Sequence, residues 1–125
     1  MIGFNALGQL GRLGNQMFQY ASLRGIAAKN GYNFMIPPPA ESYEKMDEWK
    51  QHQLFYPFNM STIQNLNVQY TDGERPVVSE KDFGFDEDLY NNCPRWVDVR
   101  GYLQSEKYFK EIEDVIREDF TFKPQ

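Results

Sequence analysis

The chain has 125 residues, a hydrophobic content of 41%, an aromatic content of 16% and a net charge of −5. That length fits one small domain, and ten Phe with eight Tyr give it the means to pack a core, which argues against disorder. The acidic balance disfavours nucleic acid or an anionic membrane surface as the default partner, and the single cysteine, Cys93, excludes an internal disulfide.

Met1 to Leu7 is short and mixed and reads as a first strand. A glycine turn follows from Gly8 to Gly14. A helix is predicted from Asn15 to Lys29, where Met17, Phe18, Ala21, Leu23, Ala27 and Ala28 recur at three- and four-residue spacings. Asn30-Gly31 stops it, because both residues tolerate a left-handed backbone. Tyr32 to Ile36 reads as a second strand, closed by Pro37-Pro38-Pro39. Strand, glycine turn, helix and strand in that order open a parallel βαβ unit, so the expected fold is α/β, a partial Rossmann-like domain.

The middle is less regular. Residues 41–53 are polar and weakly helical, and Leu54 to Phe58 is an aromatic loop or short helix. Val77-Val78 and Trp96 to Arg100 read as strands. Between them Asp82, Asp86, Glu87 and Asp88 form an acidic cluster, read as a solvated loop in preference to a metal-binding Asp-x-Asp. Ser105 to Phe120 is the clearest helical pattern, with Ser105 as the cap and Phe109, Ile112, Ile116 and Phe120 on one face. Cys93, next to Pro94, is expected to be a small semi-buried residue and suits a reducing compartment. No apolar run reaches the length of a membrane span, and the N-terminal residues lack the pattern of a signal peptide. The expected location is therefore cytoplasmic, with peripheral membrane association left open.

Gly8, Gly11 and Gly14 are spaced by three, which is neither the dinucleotide fingerprint nor a P-loop. Read alone, the turn is either a tight strand-to-helix connection or a ligand cradle. Glycines let backbone amides approach a ligand closely, and a helix start adds unpaired N–H groups and a positive dipole end. Arg12 offers a planar fork for phosphate or carboxylate, or else is an exposed loop arginine. Asn15 can contact sugar hydroxyls or cap the helix, and Gln16 can support either the ligand or the loop. Met17, Phe18, Tyr20 and Ala21 have core spacing. His52, the only histidine, sits in a polar segment and reads as solvated or structural rather than as a general base. One His and one Cys cannot build a zinc site, so no metal is expected.

The run Gly11-Arg12-Leu13-Gly14-Asn15-Gln16-Met17-Phe18-Gln19-Tyr20-Ala21, continued through Ser22-Leu23-Arg24-Gly25-Ile26-Ala27, resembles the alpha-1,2-fucosyltransferases, glycosyltransferase family eleven. A second block, Gly101-Tyr102-Leu103-Gln104-Ser105-Glu106-Lys107-Tyr108-Phe109, also resembles that family, whereas Pro37 to Val97 matches only loosely. The resemblance implies the N-terminal half of a metal-independent GT-B-type glycosyltransferase. Its reaction would be inverting transfer of L-fucose from GDP-fucose to a galactoside hydroxyl in alpha-1,2 linkage. Many members carry glycine where this chain has Arg12. Protein O-fucosyltransferases show Gly-Arg-x-Gly-Asn-Gln, with the arginine and asparagine near the donor's diphosphate and sugar, which implies the same for Arg12 and Asn15. Gly11, Gly14 and Gln16 complete the implied donor-binding set. Tyr102 and Gln104 are implied on the acceptor side, or else belong to a strand-to-helix junction. No general base is named. Vertebrate members carry a membrane anchor, so a chain without one implies a bacterial-like or viral form.

The family's donor signature, His-x-Arg-Arg-x-Asp-Tyr, does not occur in this sequence. The expected domain is thus 1–125, the N-terminal domain of a fucosyltransferase whose C-terminal donor-binding half is absent. Its expected partners are a sugar nucleotide, a glycan acceptor and a separate chain carrying that half, and little activity is expected of the chain alone. The face meeting that half is expected to expose apolar surface and a sheet edge. The rival expectation is a non-catalytic carbohydrate- or nucleotide-binding remnant or subunit. A third, an unrelated small α/β domain, requires both blocks to match by chance.

Overall fold

The computed structural model describes residues 1–39, 51–71, 73–81 and 84–124. Four short strands, β1 (Ile2–Gly3), β2 (Phe34–Met35), β3 (Val77–Ser79) and β4 (Asp98–Arg100), form one parallel sheet in the order β2-β1-β4-β3. Gly3 pairs with Met35 on one side and Asp98 on the other, and Val78 pairs with Val99. Helix α1 (Leu13–Asn30) connects β1 to β2, and α2 (Glu87–Asn92) connects β3 to β4 and packs on α1. Helix α3 (Glu113–Asp119) closes the C-terminal segment. The chain is therefore a mixed α/β fold on a parallel sheet. All three βα turns and strand exits that matter for a site lie at the same, carboxyl end of that sheet. Among the described residues no helix is long and apolar enough to cross a membrane.

The first strand is shorter than its sequence predicts. After Phe4 the chain turns back, with the Leu7 N–H donating to the Phe4 carbonyl at 3.1 Å and the Gln9 N–H to Ala6 at 2.8 Å. The second strand is likewise trimmed to Phe34–Met35, with a parallel bridge from Ile36 to Val68 alongside it. Helix α1 begins two residues before the expected Asn15 and ends one after Lys29. Gly31 stops it at φ +73°, its N–H reaching the carbonyls of Ala27 and Ala28. The edge strand β3 leaves Val77 half exposed.

Two expectations fail. Asp86 to Asp88 is not a solvated loop: Asp86 is buried and caps α2, accepting from the Leu89 N–H at 3.1 Å, with Glu87 and Asp88 in the first turn. Burial alone would raise the Asp86 carboxyl, but N–H donors from Leu89 and Lys81 outweigh it and hold it below its ordinary value. The continuous helix expected over 105–120 is also broken. Residues Glu106–Tyr108 and Lys110–Ile112 are single 3-10 turns, and α helix begins only at Glu113. Phe109, at φ −127° and ψ 11°, lies outside helical geometry. The break follows from Tyr108, whose buried ring and backbone carbonyl are both clamped by neighbours. The four apolar residues of the predicted face still pack on the core, and Ser105 caps the first turn as expected, accepting from Lys107 at 3.3 Å.

A buried polar centre ties the C-terminal segment to α1. Asp119 accepts from the Tyr20 hydroxyl at 2.5 Å, from Arg24 Nη1 at 3.0 Å, and from the N–H and hydroxyl of Thr62 at 2.7 and 2.6 Å. Arg24 also lies 4.8 Å over the Phe34 ring.

Of the two expected roles of His52, solvated or structural, the structure shows the second: the ring is buried. Its Nε2 lies 2.6 Å from the Pro37 carbonyl, which can only accept, so Nε2 carries the proton while Nδ1 faces the Leu54 N–H at 3.4 Å. The ring thus joins the proline run to the segment after residue 50. The expectations for 41–50 and for Asp82 lie outside the described residues. Burial drives the His52 pKa down from 6.5 to about 4, against a smaller upward pull from Pro37. The unfolded chain then binds more protons than the fold between those values, so stability falls as pH drops through that window. From pH 7 to 4.5 the expected loss from this residue is roughly 2–3 kcal/mol. Urea denaturation at both pH values, comparing the wild type with His52→Gln, measures it. An equal pH dependence in the two proteins would contradict a buried neutral ring.

Candidate functional site

The site starts from the glycine turn between β1 and α1. Gly8 and Gly11 have φ of +97° and +113°, and a Cβ on Gly8 would lie 2.3 Å from the His52 backbone nitrogen. Only glycine fits both conditions. Behind the turn stand two buried amides. Gln16 donates to the Gly11 carbonyl at 3.2 Å and accepts from the Gln53 N–H at 2.9 Å, and Gln19 donates to the Leu10 carbonyl at 2.8 Å. Of the two roles open to Gln16, these bonds give it that of bracing the loop.

Arg12 is the N-cap residue of α1 and is exposed. Among the described residues no side chain caps this helix end, and its first turn carries no acidic residue. Asn15 is thus the third residue of the helix, not its cap. Its Oδ1 accepts from Gln104 Nε2 instead, in a short contact. A Cβ on Gly11 would lie 2.2 Å from Asn15 Nδ2, so the turn packs directly on this side chain. Gly14 is exposed, and a Cβ there would meet nothing within 4 Å.

The Asn15–Gln104 contact connects the turn to a cavity of about 470 Å³ at the carboxyl ends of β3 and β4. Tyr102 and Gln104 line it, as do Glu80, Lys81, Arg100 and Ser79. Strand carboxyl ends are where parallel α/β sheets place ligands, and the volume is in the range of small-molecule sites. Glu80 is fixed in the wall: its Oε2 accepts from the Tyr108 hydroxyl at 2.7 Å and its Oε1 from the Leu103 N–H at 3.4 Å. Tyr108 in turn accepts from the Asp86 N–H at 2.9 Å. Burial first, and then the Glu80 carboxylate, push the Tyr108 phenol well above its ordinary pKa, so it keeps its proton and donates. Beneath the site, buried Asp98 accepts from the Asn5 N–H at 2.7 Å and lies 3.9 Å from Arg100; burial raises its pKa.

The structure thus brings Gly11, Asn15 and Gln104 together, puts Arg12 on the exposed rim of the same turn, and lines the cavity with Tyr102. It turns Gln16 inward and gives Gly14 no packing role. Phe18, expected in the core, is 37% exposed and meets Phe109 edge-on. Cys93 is buried, and burial pushes its thiol up to about 11, which leaves it protonated at neutral pH. Among the described residues no group of His, Cys, Asp and Glu could hold a metal ion. Glu80, Lys81 and Arg100 carry no motif. The signal that locates them is the pair of predicted strands, since each lies at or just beyond a strand's carboxyl end.

Comparison with protein-family models, with curated proteins and with solved structures finds no match to this chain.

Proposed function

We propose that this domain forms one wall of the cleft of a GT-B-type transferase that moves L-fucose from GDP-fucose to a galactoside hydroxyl. The observation that supports this reading is the Asn15–Gln104 contact. It couples an uncapped helix start bearing Arg12 to a cavity at the strand ends. In such a transfer the leaving group is a diphosphate, and negative charge grows on it as the glycosidic bond breaks. Arg12 and the first-turn amides of α1 would stabilise that charge more in the transition state than in the ground state. Asn15 would contact the sugar, and Tyr102 and Gln104 the acceptor. The donor's remaining contacts would come from a second half carrying the donor signature, in the same polypeptide or in another chain.

Calorimetric titration with GDP-fucose and with GDP tests the donor side. The expected result is binding that Arg12→Ala weakens by roughly ten-fold or more, the scale of one lost charge-assisted contact. No heat at millimolar ligand would overturn the donor role of the turn. GDP binding without transfer to a galactoside, even with the second half supplied, would leave a nucleotide-binding module.

A further inference from the structure

We infer that the groove between the second half of α1 and residues 112–115 is a binding site for a small monocarboxylic acid, its carboxylate held by the outer edge of Arg24. The site is independent of the transferase reading. It lies roughly 15 Å along α1 from the glycine turn, at 1.5 Å per residue. The groove has a volume of about 230 Å³. That is below the roughly 300–1,000 Å³ of drug-sized sites. It is above the ~150 Å³ that holds a benzene ring in a dry cavity, so the occupant is small. Ala28, Phe34, Ile112 and Val115 supply apolar lining, and Asn33 stands on the exposed rim. Arg24 is the one charged residue among those that line it.

Arg24 has donors left over from its structural bonds. Nη1 alone makes those to Tyr20 at 3.1 Å, Thr62 at 2.6 Å and Asp119 at 3.0 Å. Nε and Nη2 have no hydrogen-bond partner among the described residues, and both keep contact with solvent, the side chain being 17% exposed. A guanidinium carries its N–H groups in a planar fork, and two adjacent ones match the two oxygens of a carboxylate. The fork is also preorganised. Asp119 and Thr62 fix Nη1, and the Phe34 ring lies 4.8 Å from the guanidinium carbon. A ligand therefore meets a rotamer already set, which lowers the ordering cost of binding. One free edge suits one negative charge and two oxygens. A phosphate dianion would bring a second charge and a third oxygen, with no further cation in the lining to meet them. A cationic ligand would be repelled by Arg24. Because Arg24 and Ala28 belong to α1 while Ile112 and Val115 belong to the C-terminal segment, an occupant bridges the two and stabilises their docking.

The test is an NMR titration of the folded chain with sodium benzoate and, beside it, with benzamide, which has the same planar outline without the charge. Benzoate is expected to bind with a Kd of about 1 mM and to shift the resonances of Ala28, Val115 and the Arg24 Nε–H. Benzamide should bind roughly ten-fold more weakly, the scale of a lost charge-assisted pair. Ala28→Glu puts a carboxylate four residues after Arg24, on the same face of the helix, where it reaches the fork itself. It should abolish benzoate binding. Ala28→Gln matches that bulk without the charge and should give a smaller loss. Position 28 is exposed, so both variants should fold. Benzoate should also raise the urea midpoint of the wild type and leave that of Ala28→Glu unchanged. The double variant Arg24→Met with Asp119→Ala should lose binding as well, and if it does not fold, Ala28→Glu decides. No shift at the groove with tens of millimolar benzoate, equal affinity for benzamide, or equal losses in Ala28→Glu and Ala28→Gln would overturn the inference. Shifts confined to Arg12 and the glycine turn would overturn it too, because the carboxylate would then sit at the other end of α1.

Discussion

Replacing Asp119 by alanine is expected to cost about 3–5 kcal/mol, the range for breaking a buried ion pair from one side. The carboxylate is fully buried and accepts from three residues, Tyr20, Arg24 and Thr62. Its removal strands the Thr62 N–H, takes the acceptor from the Thr62 hydroxyl proton and leaves the Arg24 guanidinium, only 17% exposed, with the neutral Tyr20 and Thr62 hydroxyls but without its charged partner. A small domain has about 5–15 kcal/mol in total, so this single change brings the fold close to its limit. The size of the effect does not mean that the pair stabilises by that amount, since both charges lost hydration on burial. The double variant Asp119→Ala with Arg24→Met separates the two. It should be less destabilised than the sum of the single variants by at least about 1 kcal/mol, because no unpaired charge remains. Urea unfolding followed by tryptophan fluorescence gives all four values. Additive losses would mean that the two groups do not interact as drawn.

Nothing about Asp119 was readable in advance. It sits in a run of acids, Glu113-Asp114 and Glu118-Asp119, and only the fold singles out the one that meets Arg24, 95 residues away. The same asymmetry holds elsewhere. The glycine turn, α1 and the strands at 77 and 98 were legible because local chemistry sets them: punctuation by glycine, three-four periodicity, and β-branched residues. Helix α2 was missed despite a local signal, an Asp cap followed by Glu87 and Asp88, because six residues are too few for periodicity to show. The break at Phe109 had no local signal, since Tyr108 is clamped by residues from three other parts of the chain. Arg12, Asn15 and Gln104 were singled out from residue type and resemblance, and the fold brings the last two into contact. Gln16 was left between two roles because an amide that braces a loop and one that grips a sugar look the same in a sequence, and the structure shows the bracing bonds. Glu80 could be located only once the strand ends were known.

Gly25 carries the second large effect, and its sign runs against the usual rule. Glycine inside a helix normally costs roughly 0.5–1 kcal/mol relative to alanine, so Gly→Ala there should stabilise. At Gly25 the added Cβ would lie 1.7 Å from the Tyr108 carbonyl oxygen and 2.6 Å from its carbon, both backbone atoms. Helix α1 and the 106–108 turn would have to separate by more than an ångström. That separation strains the Ser22 hydroxyl bond to the Leu103 carbonyl, now 2.9 Å, and shifts the Tyr108 hydroxyl away from Glu80. Overpacking of this kind costs typically 1–3 kcal/mol, and the backbone contact places Gly25→Ala near the top, at about 3 kcal/mol. Gly14→Ala is the matched control in the same helix. Its Cβ meets nothing within 4 Å, so it should be neutral or stabilising by up to about 1 kcal/mol. Denaturant midpoints of the two variants should therefore move in opposite directions. If both proteins were equally stable, α1 could not lie as close to Tyr108 as the structure has it.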